Sequence, residues 1–430
     1  MASDKKTTMK KINADDIADI IGSKAKIGLG NACAEPQTLM EALIDNRDRF
    51  EAIEAYGFIN YWPEGFIKHD MGGNFKLKVF MVDRFSADGV KKGYTEYIPC
   101  RYSRIPDLFI KGYISLDVAL ISTTPPNEKG YCSFGVSSDF TKAMAKSAKK
   151  VIAEVNHQMP WVFGDNRIHV SEIDYMIETD RPLPQVSRKA LSELDKQIGR
   201  NVSQLIEDGA TIQMGIGRLS EAFLASLNEK RWLGVHSGLL PDGIVELVKK
   251  GVIDNSQKGL KNGKIVTTTM IGTDKLFKFV NRNRAVESYP SNYTHNQVTL
   301  AKLNKLHTIN SAIQVDLTGQ INAETVEGLQ VSGVGGQTDF ICGAALSKGG
   351  KSIIVTSSTS TYEKKSKIVP FLDKGSSVTS LRHDIDYVVT EYGIAFLRGK
   401  TLNERAKALI DIAHPKFRDW LESEKIKLFV

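Results

Sequence analysis

Short apolar runs alternate along this chain with longer segments in which apolar residues recur every three or four positions. The short runs have the length and apolar character of strands, and the longer segments have the period of amphipathic helices. The predicted strands are 24–30, 56–62, 149–155, 211–217 and 232–237, and the predicted helices are 36–50, 187–208 and 219–229. Alternation of this kind predicts α/β layers with largely parallel sheets.

The stretch RPLPQ (181–185) separates two such series of strands and helices. Its two prolines interrupt regular structure, as expected of a boundary between domains. A chain of 430 residues is also two to three times the usual domain size. We therefore predict an N-terminal α/β domain at 1–185 and a C-terminal α/β domain at 186–430.

The two halves resemble each other in three blocks that occur in the same order. The paired blocks are 28–43 with 215–227, 139–155 with 339–356, and 168–179 with 378–391. Each block is weak alone, but their shared order predicts an internally duplicated α/β unit with a cleft between the copies. Superposition of the halves is expected to align Gly28 with Gly215 and Asp139 with Asp339.

Composition excludes several classes of protein. Hydrophobic residues make up 41% and charged residues 25%, with a net charge of +7, which is ordinary for a globular protein. The mild positive balance suits a small anionic ligand better than nucleic acid. No stretch approaches 18 consecutive apolar residues, so no membrane association is expected.

The four cysteines are widely spaced and form no C-x-x-C pair. Neither a metal site nor a disulfide framework is therefore expected, and a reducing compartment fits best. The N-terminal sequence MASDKKTTMKKINADD lacks the apolar core of a secretory signal. These features together predict a cytoplasmic protein.

Two glycine-rich turns are candidates for ligand binding. QMGIGRL (213–219) follows a predicted strand and opens a predicted helix, so its backbone N–H groups could approach a phosphate or a thioester. It could equally be only a tight strand-to-helix turn. SGVGGQTDF (332–340) could form a nest of N–H donors that serves as an oxyanion hole, or it could be a surface loop.

Several segments resemble the acetyl-CoA hydrolase/transferase family, and the 4-hydroxybutyrate and butyrate CoA-transferases in particular. The resemblance covers nearly the whole chain and is strongest in GVGGQTDFICGA (333–344) and INSAIQVDLTGQINAETV (309–326). HSGLLPDGIVELVKKGVI (236–253), GNACAEPQTL (30–39) and YGIAFLRGKTLNERA (392–406) extend it. The fold that it implies is two similar α/β domains of the CoA-transferase type.

The resemblance implies transfer of CoA between a short-chain acyl-CoA and a carboxylic acid through a glutamyl-CoA thioester. CoA would be a substrate, with no tightly bound cofactor, and a homodimer is implied. The positions that match the family's CoA contacts are Gly215, Ile216, Gly217, Arg218, Leu219, Ile313 and Gly336. Gly336 also matches the position whose N–H stabilises the oxyanion.

One departure from the family's pattern concerns the nucleophile itself. The family's glutamate follows a His-Ser or His-Thr pair, but here His236 and Ser237 are followed by Gly238. Glycine has no side chain that could hold CoA covalently. Another carboxylate would therefore have to supply the nucleophile.

Two glutamates are candidates for that replacement. Glu64 follows the predicted strand that corresponds to the strand before Gly238, although it could be a solvated loop carboxylate. Glu35 lies near a helix start, where the helix dipole stabilises an anion, although it could be only a helix-terminal charge. Trp62, Pro63 and Gly65 around Glu64 favour Glu64. The absent glutamate leaves two alternative functions open, a thioester hydrolase and a non-catalytic CoA-binding protein.

Overall fold

A computed structural model describes residues 9–61, 73–83, 86–187 and 190–429. The strands are β1 Lys10–Lys11, β2 Lys24–Leu29, β3 Ala52–Gly57, β4 Phe75–Val79, β5 Thr95–Tyr97, β6 Val118–Thr123, β7 Tyr131–Ser133, β8 Lys150–Asn156, β9 Phe163–Gly164, β10 Arg167–His169, β11 Tyr175–Thr179, β12 Thr211–Met214, β13 Gly234–Val235, β14 Leu239–Leu240, β15 Ile265–Thr267, β16 Thr269–Met270, β17 Val286–Ser288, β18 Leu306–Ser311, β19 Gln314–Asp316, β20 Ile321–Asn322, β21 Thr325–Val326, β22 Leu329–Gln330, β23 Lys351–Val355, β24 Ile368–Val369, β25 Tyr387–Thr390 and β26 Gly393–Phe396.

Helices occupy many of the connections between these strands. The α-helices are Ile17–Ile21, Gln37–Asp45, Ala87–Lys92, Ile105–Ile110, Thr141–Ser147, Glu193–Leu205, Arg218–Ala225, Gly243–Lys249, Asp274–Val280, Ser291–Thr294, Gln297–Leu300, Gln337–Leu346, Leu402–Asp411 and Pro415–Phe429. Short 3-10 helices are Ala14–Asp16, Ala32–Ala34, Arg47–Arg49, Tyr102–Arg104, Val170–Glu172, Thr361–Glu363 and Arg382–Asp384. In the described part of the chain, no helix is both long enough and apolar enough to cross a membrane.

The chain divides into two compact units, each of which takes two segments of the sequence. The first unit is Met1–Val186 with Thr268–Tyr293, and the second is Ser187–Thr267 with Thr294–Val430. The units therefore change at the proline-rich stretch, and a later segment, 268–293, returns to the first unit. That residues 1–185 and 186–430 form two separate domains stays a prediction.

The first unit is built on an eight-stranded sheet in which all neighbouring strands are parallel. Its strand order is β1-β11-β8-β6-β2-β3-β4-β5. β6 reads VALIST and is buried along its whole length, as expected for a central parallel strand covered on both faces. An aromatic cluster in this unit's core places Phe58 on Tyr102 at 4.5 Å and Phe109 on Phe140 at 5.9 Å between ring centroids.

The second unit is built on a six-stranded sheet in the order β13-β12-β18-β23-β25-β26. All neighbouring pairs are parallel except β25 with β26, which are antiparallel. The helix Glu193–Leu205 begins later than the predicted 187–208 because Ser192 caps it. Ser192 Oγ accepts a hydrogen bond from the N–H of Asp195, and the Asp195 carboxylate accepts one from the N–H of Ser192.

The internal duplication is visible in the order of the strands. β11-β8-β6-β2-β3 in the first sheet corresponds to β25-β23-β18-β12-β13 in the second, strand for strand. The Ile-Asp-Tyr block that occurs in both halves also makes the same hydrogen bond. Asp174 accepts from the N–H of Val151 at 2.8 Å, and Asp386 accepts from the N–H of Ser352 at 3.0 Å. The fold class predicted from the sequence is thereby confirmed.

The prediction of a strand near 56–62 is wrong, because β3 is Ala52–Gly57. The chain bends after Gly57, where a Cβ atom would lie only 2.0 Å from Oδ1 of Asn60. Asn60 is buried there and its Nδ2 donates to the carbonyl of Gly30 at 3.1 Å. These contacts replace the ladder hydrogen bonds that a longer strand would need.

Candidate active site

The candidate site residues of the second unit lie where three neighbouring strands end. β13, β12 and β18 are adjacent and parallel, so their carboxyl ends meet at one edge of the sheet. Gly238 follows β13, residues 215–219 follow β12, and Ile313 follows β18. Ligands of α/β proteins bind at this edge in general, because the connections that leave it present backbone donors and variable side chains.

The turn at 215–219 is open to solvent. Gly217 has a φ of 102°, a conformation that favours glycine, and directly precedes the helix Arg218–Ala225. Ile216 is 44% exposed, which is unusual for an isoleucine next to a buried strand. Nη1 of Arg218 lies 3.8 Å from the buried carboxylate of Asp195, so the guanidinium is held near the turn.

Gly238 is held close to the end of β12 by the residue before it. Ser237 Oγ donates to the carbonyl of Met214 at 3.0 Å and accepts from the N–H of Met214 at 3.3 Å. The N–H of Ser237 also donates to the carbonyl of Val266 at 3.0 Å. Gly238 is therefore fixed beside the predicted CoA-contact turn, which starts at Gly215.

Gly336 lies at the start of a helix, which the sequence did not predict. The segment 332–340 was expected to be a loop throughout, but the helix Gln337–Leu346 begins inside it and has Gly336 as its N-cap. In the described part of the chain, the N–H of Gly336 donates no hydrogen bond to another residue. A donor of this kind at a helix start can stabilise a developing negative charge.

The structure places Gly238 and Gly336 beside the same histidine, His295. A Cβ atom added to Gly238 would lie 2.6 Å from Nε2 of His295, and one added to Gly336 would lie 2.5 Å from the same nitrogen. Both distances are shorter than real Cβ contacts, so the imidazole fills space that only glycine leaves open at these positions. Sequence reasoning missed His295, because it belongs to no motif and only its three-dimensional position identifies it.

His295 is held by its neighbours in the second unit. Its Nδ1 lies 2.8 Å from Oγ1 of Thr294, and its ring packs edge-on against Phe340 at 4.6 Å between centroids. His236 supports the same segment, because its Nε2 donates to the carbonyl of Thr294 at 2.9 Å. Burial, with a smaller contribution from the positive charge of Lys258, lowers the pKa of His236 to about 3. His236 is therefore a neutral structural donor at physiological pH.

The two candidate glutamates belong to the sequence of the first unit, and the structure describes only one of them. Glu35 is buried, and its carboxylate accepts hydrogen bonds from Nδ2 of Asn60 and from the N–H of Tyr61, both at 3.0 Å. These bonds hold the chain just after β3. Glu64 lies outside the described residues, so its assignment stays a prediction.

A separate cavity of about 860 Å³ lies within the first unit. Four of its lining residues are basic, and three more are aromatic, which would suit a planar anion; they are Lys129, Arg167, Arg282, Arg284, Trp161, Phe163 and Tyr289. None of the described site residues that were predicted from the sequence lines it. Across the described residues, no group of three or more histidine, cysteine, aspartate or glutamate side chains could hold a metal ion.

Comparison with known proteins assigns both halves of the chain to the same family. Residues 1–187 match the acetyl-CoA hydrolase/transferase N-terminal domain, and residues 272–425 match the acetyl-CoA hydrolase/transferase C-terminal domain. The chain belongs to the acetyl-CoA hydrolase/transferase family. The resemblance seen in the sequence is thereby confirmed.

Relatives within the acetyl-CoA hydrolase/transferase family match the chain over almost its full length. The 4-hydroxybutyrate coenzyme A transferase of Clostridium kluyveri is 46% identical over 420 residues, which is 98% of both chains. The butyryl-CoA:acetate CoA-transferase of Anaerostipes caccae is 34% identical over 99% of this chain and 98% of its own.

Solved structures agree with these sequence relationships. RipA from Yersinia pestis is 32% identical and superposes with a TM-score of 0.92 over 97% of both chains. A 4-hydroxybutyrate CoA-transferase from Porphyromonas gingivalis is 37% identical, with a TM-score of 0.84 over 98% of both chains.

Proposed function

We propose that this protein is a CoA-transferase that moves CoA from a short-chain acyl-CoA to a carboxylic acid. The observation that carries the proposal is the 46% identity, over 98% of both chains, to a 4-hydroxybutyrate coenzyme A transferase. The relationship to a butyryl-CoA:acetate CoA-transferase supports the same chemistry. The substrates that we propose are 4-hydroxybutyryl-CoA or butyryl-CoA with an acceptor such as acetate.

In this proposal CoA binds as a substrate at the carboxyl edge of the second unit's sheet. Its contacts would be residues 215–219, Ile313 and Gly336, and Gly336 would also donate its N–H to the oxyanion. The exposed turn at 215–219 and the N–H of Gly336 that is left without a described partner support this placement. We also propose that the protein forms a homodimer and functions in the cytoplasm.

The nucleophile proposed from the sequence is a glutamate that becomes a glutamyl-CoA thioester, with Glu64 as the first candidate and Glu35 as the second. The two hydrogen bonds that Glu35 already accepts are an argument for a structural role, because an attacking carboxylate would have to give them up. Glu64 is therefore the stronger carboxylate candidate.

The function is tested by following acceptor-dependent turnover. Purified protein is incubated with butyryl-CoA or 4-hydroxybutyryl-CoA, with and without acetate, and the acyl-CoA products are separated by liquid chromatography. Formation of acetyl-CoA only when acetate is present supports a transferase. Release of CoA thiol at the same rate without acetate would instead indicate a hydrolase, and binding of CoA without turnover would indicate a non-catalytic binding protein.

The placement of CoA is tested separately by titration calorimetry with CoA. Gly336→Trp is expected to abolish binding, because the indole would occupy the space beside His295 and cover the Gly336 N–H. Lys249→Ala, an exposed change on the helix Gly243–Lys249, is the matched control and is expected to bind like the wild type. Equal affinity of Gly336→Trp and wild type would move the CoA site elsewhere.

A further inference from the structure

The proposed CoA chemistry does not use the cavity of about 860 Å³ in the first unit. The lining residues of this cavity come from three segments of that unit, 127–129, 161–167 and 282–289. Sites for cofactors and other small ligands usually have volumes of about 300 to 1,000 Å³. The cavity is therefore large enough to hold a whole small molecule.

Backbone contacts fix two of the three segments against each other. The N–H of Trp161 donates to Oδ1 of Asn281 at 2.9 Å, and the N–H of Arg282 donates to the carbonyl of Trp161 at 2.8 Å. β9 and β17 also pair in parallel. A Cβ atom at Gly164 would lie only 2.2 Å from the carbonyl oxygen of Ser288, so the two strands approach closely there. The walls of the cavity are thus held by main-chain hydrogen bonds.

The cavity carries positive charge that the described part of the chain does not neutralise. Lys129, Arg167 and Arg282 line it and are exposed. No described carboxylate forms an ion pair with any of these three side chains, whereas Lys142 of the same unit pairs with Asp165. Like charges around one concave surface raise the local concentration of anions. The cavity is therefore suited to an anionic ligand.

Aromatic side chains give the same cavity a second property. Trp161, Phe163 and Tyr289 line it and are only partly buried. The guanidinium carbon of Arg284 lies 5.9 Å from the ring centroid of Phe163, so a cation and an aromatic face occur side by side. Partly exposed rings in a cavity offer faces on which a planar aromatic ligand can stack.

A carboxylate among these cations argues against a simple inorganic anion as the ligand. Glu287 lines the cavity, and its Oε2 accepts a hydrogen bond from the hydroxyl of Tyr289 at 2.7 Å. Carboxylates bind the ribose hydroxyls in dinucleotide-binding proteins. A ligand with an aromatic ring, a sugar and phosphate groups would match all three kinds of lining side chain.

We propose that this cavity is a nucleotide-binding site. The rings of Trp161 and Phe163 stack on the base, and Lys129, Arg167 and Arg282 bind the phosphate groups. The inference goes beyond the proposed transferase function and does not depend on it. Two sources share this ligand chemistry, a free nucleotide such as ATP and the nucleotide half of CoA.

Titration calorimetry with ATP, in the absence of CoA, tests the site. The wild type should bind one ATP per chain. Arg167→Gln and Arg282→Gln should each weaken binding at least about tenfold, because each removes charge-assisted hydrogen bonds to phosphate. Arg101→Gln, at an exposed arginine of the same unit outside the cavity, is the matched control and should bind like the wild type. Circular dichroism shows whether each variant is folded, and Lys129→Gln replaces an arginine variant that is not.

Separate probes test the two ends of the ligand. Adenosine and inorganic tripolyphosphate should each bind at least about tenfold more weakly than ATP, because each reaches only one kind of lining side chain. ATP should also quench tryptophan fluorescence by stacking on Trp161. Trp161→Phe should lose most of this quenching but keep its calorimetric affinity within about threefold, because phenylalanine retains an aromatic face.

The source of the nucleotide is distinguished in Gly336→Trp, in which the proposed CoA site is closed. This variant should bind ATP with wild-type affinity, because Gly336 does not line the cavity. Displacement of this ATP by CoA would identify the nucleotide half of CoA as a ligand. Absence of displacement would identify a free nucleotide. Either result supports the site.

Three results would overturn the proposal. Loss of ATP binding in folded Gly336→Trp, with full binding in Arg167→Gln and Arg282→Gln, would place ATP at the CoA site instead. Tripolyphosphate that binds as tightly as ATP would remove the role of the base. The third is a wild type that binds no ATP and whose CoA binding is unchanged in both arginine variants. Acetate-dependent turnover tests the transferase function separately, so failure of one proposal leaves the other standing.

Discussion

At the scale of single residues, the candidate site depends on the absence of a side chain at Gly238 and at Gly336. Neither Gly238 nor Gly336 has a positive φ, so neither needs to be glycine for the sake of its backbone conformation. They matter because a side chain at either would occupy the volume of the His295 ring. A substitution that looks conservative in sequence, glycine to alanine, is therefore expected to be severe at both positions.

We predict that Gly336→Ala destabilises the protein by about 1–3 kcal/mol, because the new methyl group overpacks the imidazole. In a His295→Ala background the same change should cost much less, since the ring that it meets is gone. Urea unfolding of the wild type, both single variants and the double variant gives the coupling energy directly. Additive effects in that cycle would show that the methyl group meets something other than His295.

At the scale of elements, the parts of the fold that were predictable are those with local signals. The strands β2, β8 and β12 and the helix after β12 follow from periodicity, and the repeated Ile-Asp-Tyr block marked equivalent strands in the two units. The end of β3 was missed because it depends on Asn60 reaching Gly30 across the chain. The sequence also did not predict that residues 268–293 belong to the first unit, because that placement depends on contacts between residues that are distant in sequence.

In the candidate site, too, only residues that stand in recognisable sequence segments could be predicted. The glycines at 215, 217, 238 and 336 could be singled out from the sequence because they stand in recognisable segments. His295 stands in SNYTHNQ (291–297), which has no such pattern, and it lies 57 positions after Gly238 in a chain that only folding brings together.

The repeated aspartates give a prediction at the element scale. Asp386→Ala should destabilise the protein by about 3 kcal/mol, because it leaves the N–H of Ser352 unpaired and removes the partner of Arg398. Asp174→Ala, the matched change in the other unit, loses the bond from Val151 and should cost about 1–2 kcal/mol. Chemical denaturation measures both. A larger cost for Asp174→Ala would contradict the assigned partners.

At the scale of the whole molecule, both units use the same five-strand arrangement. Among the described residues, the predicted CoA contacts and Gly238 all belong to the second unit. The first unit contributes the buried Glu35 and a basic, aromatic cavity instead. The described parts of the two copies therefore differ in the side chains that they carry, which agrees with function being a property of sites rather than of folds.

Stability of the whole molecule should fall in mild acid because of buried neutral histidines. Burial, and to a lesser extent the positive charge of Lys351, lowers the pKa of His307 to about 4 from an ordinary value of 6.5. Below pH 6.5 the unfolded chain binds a proton that the folded chain rejects, so folding free energy is lost as the pH falls from 6.5 towards 4. The loss from this residue is at most roughly 3 kcal/mol.

We therefore predict that His307→Leu, which keeps a buried side chain of similar size without an ionisable group, flattens the dependence of stability on pH. Urea unfolding at pH 7 and at pH 4.5 should show a smaller difference for His307→Leu than for the wild type. His383→Leu, at an exposed histidine, is the control and should retain the wild-type slope. Since His236 has a still lower pKa of about 3, some acid sensitivity must persist in His307→Leu. An unchanged slope in His307→Leu would mean that other groups, such as paired carboxylates, dominate the acid response.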